Sequence, residues 1–250
     1  MPIEIEEVLR RTEQGVTMPY ICRGTDGKLY YVKGKNAGYE SLVKEWIAGA
    51  LARHMGLPIA PFDFVFVPME LYELGRHVNQ GGLNLAGLGS GLLFGSEHIS
   101  DSNELSFLNV TAIPSALKRD IAAFDWWIMN GDRTLTEAGG NPNILWSERN
   151  KSAVIIDHNL AFDPDVTLNS QLSDHVFAGA LAEICEDPEL QSRYDYRFTQ
   201  VISELPNIIG DIPPRWHYVD DQETVAISLS IATVEAALQR YTMPDFWKRT

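Results

Sequence analysis

Apolar and polar residues alternate over short runs in the first hundred positions, then give way to apolar residues at helical spacing. Residues 6–11 and 19–23 fit short strands. The turn Gly24-Thr25-Asp26-Gly27 leads into Lys28-Leu29-Tyr30-Tyr31-Val32-Lys33, whose aromatic and β-branched content predicts a third. Over residues 39–55 the positions Leu42, Val43, Trp46, Ile47, Ala50 and Leu51 share helical spacing. Gly56-Leu57-Pro58 then stops that helix. Residues 62–68 alternate as a strand. Within a Gly-rich stretch, 75–104, Leu92-Leu93-Phe94-Gly95 fits one more. Residues 114–129 predict a helix with Leu117, Ile121, Phe124 and Ile128 on one face. Two short strands, 143–146 and 153–157, flank the polar turn 147–152. The last 75 residues read as mostly helical, with 225–241 the clearest case. The pattern predicts an α+β chain: a small β-rich N-terminal lobe over residues 1–100 and a mostly helical C-terminal lobe over 101–250.

Composition narrows the function more than the fold. With 250 residues, 45% of them hydrophobic and 10% aromatic, the chain can bury a substantial core. No apolar run approaches the roughly 18–20 residues of a membrane span. The start, Met1-Pro2-Ile3-Glu4-Ile5-Glu6-Glu7, lacks the basic region of a signal peptide, so a cytoplasmic protein without membrane association is expected. Cys22 and Cys185 are far apart, which points to reduced thiols and not to a zinc site or disulfide framework. A net charge of −14 disfavours direct nucleic-acid binding, which relies on Lys and Arg neutralising phosphates. A nucleotide remains compatible, since a divalent cation and a few local cations can supply the positive charge.

The residues with the clearest chemistry fall within one stretch. Asn130-Gly131-Asp132-Arg133 puts a carboxylate in a loop after a helix. Asn141-Pro142-Asn143-Ile144-Leu145 puts an amide just before a strand. Val154-Ile155-Ile156-Asp157-His158 ends an apolar strand with an acid, where a cation must compensate the charge. Phosphoryl transfer from a nucleotide needs that set: a carboxylate to orient the attacking hydroxyl, and a carboxylate and an amide to hold magnesium on the phosphates. Upstream, Lys33 ends a strand and Glu45 lies on the following helix, an order that suits a phosphate-contacting lysine held by a helix glutamate. Lys35 and Glu40 compete for those roles. Gly87-Leu88-Gly89-Ser90-Gly91 lacks the following Lys-Ser/Thr of a P-loop and reads as a flexible connection. His158, His175, Trp126 and Trp127 read as structural.

These motifs, together with Ile156-Asp157-His158-Asn159-Leu160-Ala161-Phe162, resemble the catalytic core of the HipA-like kinase family. That family is a distant branch of the protein-kinase-like fold, similar here to lipid kinases and aminoglycoside phosphotransferases. The helix with Leu42-Val43-Lys44-Glu45-Trp46 and its Leu57-Pro58 end resembles the family's small lobe; the likeness covers about residues 10–165. It implies a bilobal kinase-like fold that binds ATP and Mg2+ and phosphorylates a serine or threonine hydroxyl. Asp132 would be the catalytic aspartate, Asn143 and Asp157 the metal ligands, and Lys33 the phosphate-contacting lysine. The loop 12–17, with Gly15, would lie over the phosphates, and the backbone near Phe94 and Ser96 would meet the adenine. The phosphate acceptor would be a protein or a small molecule, the latter as in aminoglycoside or lipid kinases; a nucleotide-binding module without turnover is the third reading. Three features depart from the protein-kinase pattern. Asn143 follows Asp132 by eleven positions where protein kinases use five, making Asn141 a rival ligand. Asp157-His158-Asn159 replaces Asp-Phe-Gly, and the covering loop has a single glycine.

Overall fold

Strands β1 (Ile3–Arg11), β2 (Tyr20–Gly24), β3 (Leu29–Lys33), β4 (Phe62–Val67) and β5 (Gly91–Glu97) close into a small barrel in the order β1-β2-β3-β5-β4. The computed structural model describes residues 1–12, 17–77, 83–220 and 222–249. The chain forms two compact units. The barrel belongs to the first, made of Met1–Val43, Ala60–Ser100 and Ile212–Ile227; the second comprises Lys44–Ile59, Asp101–Asp211 and Ser228–Thr250.

Each barrel pairing is antiparallel except that of β1 with β4, which closes the ring in parallel through Ile3↔Val65 and Glu4↔Phe66. Each barrel strand thus pairs on both sides, β1 meeting β4 only at Ile3 and Glu4. Alternate side chains fill the inside, among them Ile5, Tyr20, Cys22, Tyr30, Val32, Val65 and Leu93. Gly95 has a packing reason: a Cβ built on it would fall on the Val65 side chain. A glycine there lets β4 and β5 approach at full register.

Helix α1 (Tyr39–His54) starts in the first unit and ends in the second. Its residues from Glu45 to Ala52 are all buried, the small Ala48, Gly49, Ala50 and Ala52 included. A helix apolar all round is one that packs on every side. A short helix that the pattern reading did not foresee, α2 (Met69–Gly75), follows β4. Gly87 and Leu88 are held in place: Lys35 N–H donates to the Leu88 carbonyl and Asn36 N–H to that of Gly87, both at 2.9 Å, and Leu88 is fully buried. A Cβ on Gly34 would strike the Leu88 backbone, which explains glycine at that crossing. The returning segment Ile212–Ile227 anchors to this unit through Trp216, whose Nε1–H donates to the Leu92 carbonyl (2.9 Å) while its ring meets Phe64 edge-on.

The second unit holds a three-stranded sheet of β6 (Asn103–Glu104), β7 (Ile144–Ser147) and β8 (Ser152–Ile155) in that order. Its helices are α3 (Ser115–Trp127), α4 (Leu168–Asp174), α5 (Ala178–Glu186), α6 (Pro188–Ile202), α7 (Leu205–Gly210) and α8 (Ile231–Gln239). Thr167 and Ser170 form a reciprocal capping box at the start of α4, and Asp187 caps α6 ahead of Pro188. Trp127 stacks on Phe198 with centroids 4.4 Å apart, and its Nε1–H donates to the Leu238 carbonyl. Burying such an indole contributes on the order of 4 kcal/mol by area. Trp126 and Trp127 are thus core residues.

The expected helix over 225–241 is shorter. Residues 225–230 are not helical: Tyr218 bridges Ala226, Asp220 accepts the Thr224 and Val225 N–H groups, and Ser230 caps α8 by accepting from Thr233 N–H. The Asp220 turn and the Ser230 cap end the periodic run before the apolar spacing does. Among the described residues no helix is long and apolar enough to cross a membrane.

Candidate active site

The geometry around Asp132, Asn143 and Asp157 lies in the second unit. α3 ends in a turn at Met129, which adopts a left-handed φ of 54°. Asn130 N–H donates back to the Asp125 carbonyl at 2.8 Å, and the chain emerges as Asn130-Gly131-Asp132-Arg133. Asp132 is partly exposed, while Arg133 is wholly buried. Residues 134–141 then fold back as a tight hairpin, with Thr136 N–H to the Gly139 carbonyl (3.0 Å) and Thr134 N–H to that of Asn141 (2.9 Å). A Cβ at Gly140 would collide with the Thr134–Leu135 backbone, so the hairpin closes only around a glycine.

The hairpin brings two amides to one carboxylate oxygen. Asn141 Nδ2 donates to Asp132 Oδ2 at 2.7 Å, and Asn143 Nδ2 donates to the same atom at 3.0 Å. Each amide therefore turns its nitrogen to Asp132, an orientation set by the hydrogen-bond partners.

Asp157 comes to the same place along the β7–β8 ladder. Ile144 pairs with Ile155, and Ile156 N–H donates to the Asn143 carbonyl at 3.0 Å, so Asp157 is the next residue beyond that bond. Asn143 and Asp157 both hold left-handed backbone, φ 47° and 56°. Such conformations at non-glycine residues cost about 1–3 kcal/mol each and persist only where the surroundings enforce them. Three residues predicted from separate loops thus share one corner of this unit. Glu45 also reaches it, from α1: the residue is 3% exposed and its carboxylate accepts the His158 backbone N–H at 3.0 Å.

Behind that corner lies a buried charge network. Asp125 Oδ2 accepts from Arg133 Nε (2.6 Å) and His175 Nε2 (2.9 Å), and Asp125 Oδ1 accepts from Asn130 Nδ2 (2.8 Å). Phe177 N–H donates to His175 Nδ1 at 3.0 Å, so the ring carries its proton on Nε2. Arg133 Nη2 faces His158 Nε2 at 3.0 Å, which places the His158 proton on Nδ1. Burial pushes the Asp125 carboxyl up, but the Arg133 guanidinium and the His175 bond prevail and hold it well below the usual carboxylate range. The expectation that His158 and His175 are structural agrees with this burial. The roles of Asp125 and Arg133 were missed. The available signal was an acid set among aromatics in Ala-Ala-Phe-Asp-Trp-Trp, a polar residue on a face with no water.

The remaining expected residues belong elsewhere. Gly15 lies outside the described residues. Lys33 ends β3 in the first unit and is 7% exposed. Phe94 and Ser96 lie inside β5, each paired with β3 on one side and β4 on the other, and Phe94 stacks on Phe62. Their backbones take part in both ladders.

Asn143 and Asp157 suit a hard divalent cation. They offer amide and carboxylate oxygens and no sulfur, the donor chemistry magnesium takes together with phosphate oxygens and water. Among the described residues no group of three or more His, Cys, Asp or Glu side chains could hold a metal without such outside ligands.

No curated protein matches the chain. Among solved structures it is similar to the Helicobacter pylori proinflammatory kinase CtkA, with a TM-score of 0.53 at 12% identity over 96% of this chain and 94% of that one. It is also similar to the Golgi casein kinase, with a TM-score of 0.50 at 13% identity over 96% of this chain and 70% of that one. At such identities the likeness speaks for the fold, which is kinase-like: strands in the N-terminal region and helices in the C-terminal part. The model of the HipA-like kinase family matches residues 5–250. A chain matched over nearly its whole length, with the fold to go with it, belongs to the HipA-like kinase family and is a phosphotransferase.

Proposed function

We propose that this kinase transfers the γ-phosphoryl group of ATP, with Mg2+, to a serine or threonine hydroxyl of a protein. The observation that carries this reading is the Asn143 side chain, whose Nδ2 meets Asp132 Oδ2 while its backbone carbonyl bonds the residue before Asp157. One residue, through its side-chain amide and its backbone carbonyl, therefore links the proposed hydroxyl-orienting acid to the proposed metal-binding acid.

In this reading Asp132 Oδ1 accepts the hydrogen bond of the acceptor hydroxyl. The hydroxyl oxygen bonds to the γ-phosphorus as the bond to the β,γ-bridging oxygen breaks; ADP leaves, and the hydroxyl proton passes to Asp132. Asn141 and Asn143 fix the carboxylate plane so that the free oxygen points one way. Asn143 Oδ1 and the Asp157 carboxylate would hold Mg2+, which supplies charge neutralisation on the phosphates. Lys33 is proposed as the phosphate-contacting lysine from its order in the sequence and its burial at the end of β3. Glu45 supports the Asp157–His158 turn through the His158 N–H.

Incubation with γ-labelled ATP, Mg2+ and a Ser/Thr peptide library tests the reading, with Asp132→Ala and Asp157→Ala alongside. Label should enter peptide with wild type and fall at least about a hundredfold in both variants. Equal incorporation by all three proteins refutes the assignment. Label appearing on an added aminoglycoside and never on peptide moves the acceptor to a small cationic molecule, a class that a net charge of −14 would attract. Stabilisation by ATP–Mg2+ without ADP release identifies a binding module instead.

A further inference from the structure

We propose that Arg133 is a positioning residue that sets the metal-binding geometry of Asn143 and Asp157, with Asp125 and His175 as its anchor. This deepens the proposed function and rests on it.

Asn143 and Asp157 hold left-handed φ values just beyond the paired ends of β7 and β8, where the surroundings must support both. Arg133 Nη1 lies against the carbonyls of Pro142 (3.4 Å), Asn143 (2.5 Å) and Ile156 (3.4 Å). These are the peptide oxygens just before and after the Asn143 Cα and just before the Asp157 Cα. A single guanidinium nitrogen thus ties together the two strand ends that carry the oxygen ligands. The other nitrogens of the same group reach backwards, Nε to Asp125 and Nη2 to His158. The planar fork of arginine is what lets one side chain face both ways.

Charge explains the anchor. A bare buried guanidinium beside two cation ligands would repel the cation it is meant to help place. Asp125 is fully buried and bonds the guanidinium at 2.6 Å, so the clamp as a whole is close to neutral. His175 donates to the same Asp125 oxygen, and Val176 N–H donates to the Arg133 carbonyl at 3.0 Å, which ties the His175 segment to the arginine it supports. The chain of contact therefore runs from His175 through Asp125 and Arg133 to the Asn143 and Asp157 backbones.

Arg133→Lys separates positioning from mere structure. Lysine keeps the charge and can reach Asp125, but one ammonium cannot also span three carbonyls. Mn2+ binding in the presence of ATP, followed by electron paramagnetic resonance, is the readout, with melting temperature as the folding control. Wild type should bind Mn2+, Asp157→Ala should not, and Arg133→Lys should weaken binding about 10–100-fold, the usual cost of losing a group that orients metal ligands. Unchanged Mn2+ affinity in Arg133→Lys, with binding lost in Asp157→Ala, overturns this inference alone. Unchanged affinity in Asp157→Ala sinks the site reading beneath it.

If Arg133→Lys does not fold, wild type still decides. The Arg133 Nε–H resonance in a nitrogen-labelled sample should shift when Mg2+–ATP is added, relative to ATP alone. A resonance that does not move overturns the proposal.

Discussion

Asp125→Ala would test the buried network most severely. The substitution removes a carboxylate that is entirely out of water and that accepts from Arg133, His175 and Asn130. Breaking one partner of a buried pair leaves an uncompensated charge and costs about 3–5 kcal/mol. The stranded donors of His175 and Asn130 each add about 1–3 kcal/mol, less whatever relaxation recovers. Against a total stability of about 5–15 kcal/mol for a native protein, the variant should be marginal at 25 °C. Urea unfolding followed by tryptophan fluorescence measures this, since Trp126 and Trp127 lie next to Asp125 in the chain. Asp125→Asn keeps the shape and loses the charge, and it isolates the pH term. The folded Asp125 carboxyl titrates below its unfolded value of about 3.9, so its stabilisation is present above that pH and fades as pH falls through the folded value. Wild type should therefore lose stability on acidification below about pH 4 more steeply than Asp125→Asn does. A loss under about 1 kcal/mol in Asp125→Ala, or identical acid limbs in wild type and Asp125→Asn, would refute the reasoning.

Gly95→Ala forces a methyl onto Val65 inside a closed ring where β4 cannot retreat, and should destabilise by about 1–3 kcal/mol in a urea titration. Val65→Ala in the same chain should recover part of that loss, and strict additivity of the two would count against the packing account. Burial pushes the Cys22 thiol up to about 12, so at pH 8 roughly one ten-thousandth of it is thiolate. Iodoacetamide should leave native Cys22 unlabelled and modify the less buried Cys185 first; mass spectrometry showing prompt Cys22 labelling in the folded state would contradict this.

Much of the fold was legible because it rests on local periodicity. The barrel strands, α1 and α3 announce themselves through alternation or helical spacing, and Gly56-Leu57-Pro58 marks the end of α1. α2 was missed because Met69-Glu70-Leu71-Tyr72-Glu73-Leu74 is too short to show a face, although its residues are good helix formers. The start of α8 was misread because spacing outweighed two polar signals, Asp220 and Ser230, whose local hydrogen bonds set the boundary. For the proposed site, Asp132, Asn143 and Asp157 stand out in the sequence because each lies in a short connection beside a recognisable element. Asn141 looked like a rival of Asn143, and the hairpin instead brings both amides to one oxygen. Arg133 could not be read as a clamp, since its side-chain partners come from three separate stretches of chain and no spacing rule joins them.

Trp216 has a consequence for how the protein can be made and dissected. The barrel strands are complete by Glu97, yet the indole that covers Phe64 and satisfies the Leu92 carbonyl arrives 124 positions after its partner. During synthesis the N-terminal strands must therefore wait, exposed on one flank, until most of the polypeptide has left the ribosome. An expression fragment cut at residue 100 would inherit that bare flank for good, and chain order is a poor guide to where this protein can be divided.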